Sequence, residues 1–307
     1  MKERPMKPCS GNIFQIQRWS VNDGEGIRST VFFKGCPLRC HWCANPESWN
    51  PQPEVLFFSE KCTGCGRCAQ VCQTGAAKIG EKNRSIFDRE KCTACFRCCE
   101  VCPAGARKQI GQAVTLDEVV QTIKRDAIFY RESGGGVTFS GGEPFAQPEF
   151  LRQLVTVCKR LGIDTAVETC GYFDWEQGKD IVALLDCVFI DCKQMDDEVH
   201  RRMTGVGNQR ILENIAVTSL RNPNTIVRVP LIEEVNASRE NIRAMCTYLQ
   251  LHTKVIGVEL LPYHDYGAAK YNAVGAAGHS FTTPVDAKIE ELKSIVSEYG
   301  LKVKDFK

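Results

Sequence analysis

The chain has 307 residues, 43% of them hydrophobic, and its 39 basic side chains nearly balance 37 acidic ones, for a formal net charge of +2. That is enough apolar material for one α/β barrel of roughly 250 residues plus a small insert, and the charge balance excludes a global attraction to nucleic acid or to a membrane surface. Eighteen cysteines, with no apolar leader in the opening Met-Lys-Glu-Arg-Pro-Met-Lys-Pro, argue against a disulfide scaffold and for a reducing, cytoplasmic setting.

The first predicted strand runs from Ile27 to Lys34, after a polar segment Asn22-Asp23-Gly-Glu25-Gly-Ile-Arg28 that alone reads as a solvated turn. Cys36-x3-Cys40-x2-Cys43 follows at once. A cubane [4Fe–4S] cluster has four irons, each normally taking one thiolate. Three cysteines leave one iron open to a non-protein ligand, much as catalytic metals keep a vacant position; a zinc site with a distant fourth ligand is the alternative on spacing alone.

Two runs of the bacterial ferredoxin type come next, Cys62-x2-Cys65-x2-Cys68-x3-Cys72 and Cys92-x2-Cys95-x2-Cys98-x3-Cys102, the later one completed by Pro103. In two-cluster ferredoxins the fourth cysteine of each run serves the other cluster. Cys62, Cys65, Cys68 and Cys102 are therefore expected to hold one cluster, and Cys92, Cys95, Cys98 and Cys72 the other. Glu-Lys-Cys-Thr-x-Cys-x-Arg-Cys recurs from Glu60 and from Glu90, so the block reads as a duplication. A double zinc ribbon is the alternative, and Cys99, beside Cys98, competes for an iron. The organisation expected is a first barrel part at 1–51, a ferredoxin-like insert at 52–111 and the rest of the barrel at 112–307.

Beyond the insert, Thr115-x-x-Glu118 is a capping box that opens a helix. Strands are predicted at Val137 to Ser140, Asp164 to Glu168, Cys187 to Asp191, Thr225 to Pro230 and Ile256 to Leu261. Pro148 and Gly162 bound one intervening helix. Thr283-Pro284 and Gly300 bound the last, with Ile289, Leu292 and Val296 on its inner stripe. The apolar stretch from Ile181 to Ile190 is broken by Asp186 and is too short to span a bilayer. Six strands alternating with helices predict an open, partial (β/α)6 barrel whose active site lies at the carboxyl ends of its strands. Ser140-Gly141-Gly142-Glu143-Pro144 sits at such an end, where glycines let a ligand approach the backbone, though an ordinary strand-to-helix turn looks the same. Glu168-Thr169-Cys-Gly171 ends the next strand. Asp191 and Lys193, two apart, face one side of an extended segment, as a surface ion pair also would. His264 follows the last strand, where a lone histidine is otherwise structural.

The cysteine triad, with Trp42 just before its third member, resembles the cluster loop of the radical S-adenosylmethionine (SAM) superfamily. The Gly-Gly-Glu-Pro element, Asp191-Cys-Lys193-Gln-Met195, Glu168-Thr-Cys-Gly171, Leu-Leu-Pro-Tyr-His264 and Asp23 to Arg28 together resemble the activating enzymes of glycyl radical enzymes, in the subgroup with two extra clusters. The likeness spans nearly the whole chain. It implies an oxidoreductase with three [4Fe–4S] clusters and SAM, whose catalytic cysteines are Cys36, Cys40 and Cys43. Trp42, Gly141, Gly142, Glu143, Glu168, Thr169, Asp191, Lys193 and His264 are implied as SAM contacts. A monovalent cation is expected beside SAM, although Glu168 replaces the family's aspartate there. Asp23 and Arg28 are implied to recognise the partner's glycine loop.

The same resemblance implies that a flavodoxin or ferredoxin-type reductant feeds the insert, which relays an electron to the triad cluster. SAM is then cleaved, and its 5′-deoxyadenosyl radical takes a hydrogen from a glycine of a partner dehydratase, decarboxylase or choline lyase. A monomer is expected, with no nucleic-acid or membrane partner. The rival readings are a radical SAM enzyme acting on a small molecule and a non-catalytic electron carrier. The seven remaining cysteines read as small buried hydrophobes.

Overall fold

The computed structural model describes residues 9–306; the opening octet searched for a leader lies outside the described residues. Among the described residues twelve strands occur in chain order: β1 Ser10–Ser20, β2 Arg28–Phe33, β3 Glu54–Phe57, β4 Ala77–Ile79, β5 Ser85–Phe87, β6 Arg107–Ile110, β7 Gln112–Thr115, β8 Gly136–Gly141, β9 Asp164–Thr169, β10 Cys187–Asp191, β11 Thr225–Leu231 and β12 Gly257–Pro262. Eight form one sheet in the order β12-β11-β10-β9-β8-β2-β1-β7. The run from β12 to β2 is parallel, and β1 and β7 extend it antiparallel. The six expected strands are the six parallel ones, with ends differing by a residue or two.

The parallel strands read as apolar runs because both faces are covered. Val31, Val137, Phe139, Val167, Val188, Val227 and Val258 are buried in one core with Leu151, Leu154, Ile181, Ile215, Ile242, Leu249 and Leu292 of the flanking helices. Each such side chain contributes about 1.5–3 kcal/mol. The helix boundaries follow their local chemistry. Thr115 Oγ1 accepts from Glu118 N at 3.3 Å while Glu118 returns a bond to Thr115 N at 2.7 Å, so Leu116–Lys124 starts there. Pro148 opens Pro148–Arg160, and the last helix, Asp286–Glu298, starts two residues beyond Pro284. No described helix is long and apolar enough to cross a membrane.

Residues 54–110 form two small antiparallel pairs, β3 with β6 and β4 with β5, around the short helices Arg67–Val71 and Arg97–Glu100. The duplication is visible in the backbone itself. Left-handed φ values at Gly64, Gly66 and Gly75 recur thirty residues later at Ala94, Phe96 and Gly105. Ala94 and Phe96 take that conformation at a cost of about 1–2 kcal/mol each. Arg89 ties this segment to the rest: its guanidinium donates to Val55 O at 2.9 Å and to Ala273 O in helix Ala268–Val274.

Candidate functional site

The loop after β2 is held by backbone bonds on both flanks. Gly35 N donates to Ser48 O at 2.6 Å, Arg39 N to Thr204 O at 2.7 Å and His41 N to Met203 O at 3.0 Å. From helix Ala268–Val274, Tyr271 Oη donates to the carbonyls of Cys40 and His41, and Lys270 Nζ donates to Ala44 O at 3.0 Å. Leu38, Cys40, Trp42, Cys170 and Ile232 pack together beneath the loop, and the Trp42 ring meets Phe281 edge-on. Burial pushes the Cys40 thiol well up and Cys43 up to about 11, whereas Cys36 is lowered by a hydrogen bond from Cys170. Thiols held protonated in this way release protons when they take metal.

The loop roofs a cleft of about 780 Å³ at the carboxyl ends of the strands. Cys36, Cys40, Trp42, Cys43, Gly141, Gly142, Glu168, Thr169, Asp191, Lys193 and His264 all line it, and so does Asp23. Gly141 has φ +108°, and a Cβ there would lie 2.5 Å from Phe33 N; one on Gly142 would lie 2.5 Å from Gly35 O. Only glycine lets this turn pass so close to the loop backbone. Lys193, 8% exposed, has its ammonium 2.5 Å from Asp191 Oδ2. Burial alone would lower its pKa, but the Asp191 carboxylate, aided by Cys40, holds it raised.

Two expected residues are not on the cleft wall. Glu143 is 1% exposed and turns inward, accepting from Thr169 Oγ1 at 2.9 Å, Cys170 N at 2.9 Å and Phe145 N at 3.0 Å. Its burial raises its pKa. It braces the end of β9 against the glycine turn. Arg28, expected to face a partner, is 2% exposed; it donates to Thr138 Oγ1 and Val137 O and pairs with Asp164 at 2.8 Å. An arginine with its donors committed inside the fold secures the turn instead. That turn presents Asp23, whose carboxylate accepts from Thr30 and whose carbonyl accepts from Thr138 Oγ1 at 2.7 Å.

Glu168 lies under the cleft with one carboxylate oxygen taken by Ser140 and the other by Arg228. Arg228 also pairs with Glu259 at 2.6 Å and covers the Phe189 ring at 3.8 Å. A guanidinium therefore stands beside Glu168 where a monovalent cation was expected. Arg228 and Glu259 were missed, although a charged residue inside each of two otherwise apolar, register-matched strands was a signal. Tyr271, Lys270 and Cys170 were also missed; the first two act across more than 220 residues of sequence and left no local mark.

The eight ferredoxin-type cysteines surround two hollows. Cys62, Cys65, Cys68 and Cys102 line one, with Phe57, Ser85 and Arg107. Cys72, Cys92, Cys95 and Cys98 line the other, with Val55 and Phe87. Cys99 lines neither. Each hollow offers four sulfurs, and backbone N–H groups of Ala77 and Ala94 point at Cys72 and Cys92 sulfurs at 3.3 and 3.4 Å. Arg107 beside them is fully buried, with Nε and Nη1 lacking any partner. A buried cation without a counter-ion is costly, so this donor set fits an anionic metal–sulfur group. Three thiols from one loop fit a cluster with one corner open to a non-protein ligand; a fourth thiol, Cys170 just past β9, also lines the cleft and hydrogen-bonds Cys36.

The model of the radical SAM superfamily matches residues 90–246, and a 4Fe-4S dicluster domain matches 54–103. The chain is 41% identical over 298 residues to the trans-4-hydroxy-L-proline dehydratase activating enzyme of Clostridioides difficile, covering 95% of this chain and 98% of that one. It is 40% identical to the 4-hydroxyphenylacetate decarboxylase activating enzyme of Clostridioides difficile strain CD196, with 96% of each chain covered. Among solved structures, a radical SAM methyltransferase from Sphaerobacter thermophilus shares the fold with a TM-score of 0.51 at 14% identity, over 98% of this chain and 78% of that one.

Proposed function

We propose that Cys36, Cys40 and Cys43 hold the catalytic [4Fe–4S] cluster of this chain, which belongs to the radical SAM superfamily and, within it, to the activating enzymes of glycyl radical enzymes. Its function is that of a radical SAM activase: it cleaves SAM reductively and generates the glycyl radical of a partner enzyme. The single observation that carries the residue-level reading is the convergence on one cleft of the three thiols with the glycine turn, Lys193 and Asp23. When bound, the cluster supplies the electron that breaks the sulfonium bond of SAM, and the nucleoside radical so formed removes the glycine hydrogen.

The protein's own part is to bind, orient and exclude water. Gly141 and Gly142 open their backbone to the methionine end of SAM, Glu143 holds that turn in place, and Lys193 offers its ammonium to the carboxylate. Asp191 keeps the ammonium charged. Trp42 and Leu38 close the apolar side of the loop. Thr169 and His264 lie where the nucleoside would rest, and Asp23 stands ready for the partner's glycine loop. Arg228 supplies positive charge beside Glu168, which removes the need for a cation there.

The finer architecture we propose is an open, partial (β/α)6 barrel carrying a ferredoxin-like insert at 52–111, with three clusters in all. The two four-cysteine hollows support the pairing of Cys102 with the first run and Cys72 with the second. The exposed Cys65 and Cys95 support electron entry from a flavodoxin or ferredoxin-type reductant at the insert surface. A monomeric state and a cytoplasmic setting are kept as readings of the sequence. The test is anaerobic incubation of the reduced protein with SAM and candidate glycyl radical enzymes, followed by electron paramagnetic resonance (EPR). A glycyl radical in one partner, lost in Asp23→Asn while SAM cleavage persists, is the expected result; SAM cleavage without any partner radical favours a small-molecule substrate.

A further inference from the structure

Arg107 is the largest fully buried side chain in the described structure, 2% exposed, and it has no carboxylate partner. Its guanidinium is sandwiched between Phe57 and Phe87, 4.4 and 4.5 Å from their centroids. Phe57 lines the hollow of Cys62, Cys65, Cys68 and Cys102, and Phe87 that of Cys72, Cys92, Cys95 and Cys98. Arg107 Nη2 donates to Ser85 Oγ at 2.8 Å, and that hydroxyl lies 3.4 Å from Cys68 Sγ. On the other side, the guanidinium lies on the Phe87 ring, which lines the Cys72, Cys92, Cys95 and Cys98 hollow. A lone guanidinium thus stands between the two cysteine sets, joined to one through Ser85 and separated from the other by the Phe87 ring.

A cation placed so deep, with two of its nitrogens lacking any partner, destabilises the fold unless an anion faces it. Four thiolates outweigh the charge of a cubane core, so each loaded hollow is a net anion, and its potential depends on net charge, hydrogen bonds to sulfur and exposure. Reduction adds negative charge, which a fixed neighbouring cation favours. Resting on the cluster assignment above, we propose that Arg107 is the shared counter-cation of the two four-cysteine sites and raises the reduction potential of both, leaving the Cys36, Cys40 and Cys43 site untouched. Arg107 is a positioning and tuning residue; it contacts no substrate.

The experiment is an anaerobic redox titration of the loaded full chain followed by EPR, with iron content measured in parallel. In Arg107→Met the one-electron equilibrium constant for reducing both four-cysteine sites should fall by at least tenfold, which is about 59 mV more negative. The signal that responds to added SAM should keep its potential. Arg107→Lys retains the charge and should stay near the parent, and Ser85→Ala should shift only the Cys62, Cys65, Cys68 and Cys102 site. Parent-like potentials in Arg107→Met overturn the proposal. If that variant loses iron, unchanged potentials in Ser85→Ala, or a tenfold fall in Arg107→Lys, overturn it equally. Parent protein that takes up iron only at the triad would instead refute the cluster assignment on which the proposal rests.

Discussion

Lys193 and Lys270 both line the cleft, but Lys270 is tied to Ala44, Asn45 and Glu47; replacing Lys193 by methionine removes the ammonium held only by Asp191 while keeping the length of the side chain. A hydrogen bond to a charged group contributes about 1.5–3 kcal/mol, and about 1.4 kcal/mol is a factor of ten, so SAM should bind roughly 10- to 150-fold more weakly. The fold should survive, because the Asp191 side chain is 27% exposed and can rehydrate. The pH dependence provides a second arm. Burial acts to lower the Lys193 pKa, and Asp191 overcomes it, so the folded value lies above the ordinary 10.5. A contribution from a raised cationic pKa is complete below the ordinary value and disappears only as pH rises through the raised one. SAM affinity of the parent should therefore be flat across the neutral range. In Asp191→Asn the main opposition to burial is gone, so the Lys193 pKa should drop from its raised value and affinity should begin to fall at a lower pH than in the parent. The assay is an anaerobic calorimetric or EPR titration of SAM onto reconstituted protein; a Lys193→Met variant that binds SAM as tightly as the parent refutes the assignment.

Glu143→Ala should leave the Cys170 and Phe145 amides buried without acceptors, at about 1–3 kcal/mol each, and differential scanning fluorimetry should show a lower melting temperature together with weakened SAM binding. Cys102→Ser should remove the iron held at one four-cysteine hollow, whereas Cys99→Ser should leave iron and sulfide analysis unchanged; the reverse pattern would reassign the fourth ligand. His200 sits in the helix that receives the Arg39 and His41 amides, with Nδ1 2.7 Å from Val206 O, and burial lowers its pKa below the ordinary 6.5. A histidine buried neutral contributes stability that is present above about pH 6.5 and is lost as pH falls below it. The protein should accordingly become more labile in mild acid, and His200→Phe should flatten that dependence in melting curves.

The parallel strands and the cysteine runs were legible because their information is local. Apolar runs follow from burial on both sheet faces, and ligand spacing follows from the reach of one loop around one cluster. β1 was missed although Phe14-Gln15-Ile16-Gln17 alternates apolar and polar with the period of a strand; its two glutamines line the cleft. β7 is four residues long. Within the site, Asp191 and Lys193 could be read as a pair because an extended backbone puts alternate residues on one side. The inward turn of Glu143 and the burial of Arg28 could not, since each depends on acceptors and donors supplied by strands far away in sequence. The guanidinium beside Glu168 comes from a residue 60 positions on. The cation expected there came from the resemblance of Glu168 to a family aspartate, and that likeness says nothing of what the neighbouring strands place beside it.

The most direct test of the three-thiol cluster with an open corner is the EPR spectrum of the reduced, fully loaded protein before and after SAM is added. A changed signal from one cluster, lost in Cys40→Ala, with methionine and 5′-deoxyadenosine formed on turnover, is the predicted result. A spectrum indifferent to SAM, from protein whose every iron is already held by a side chain, would contradict the account.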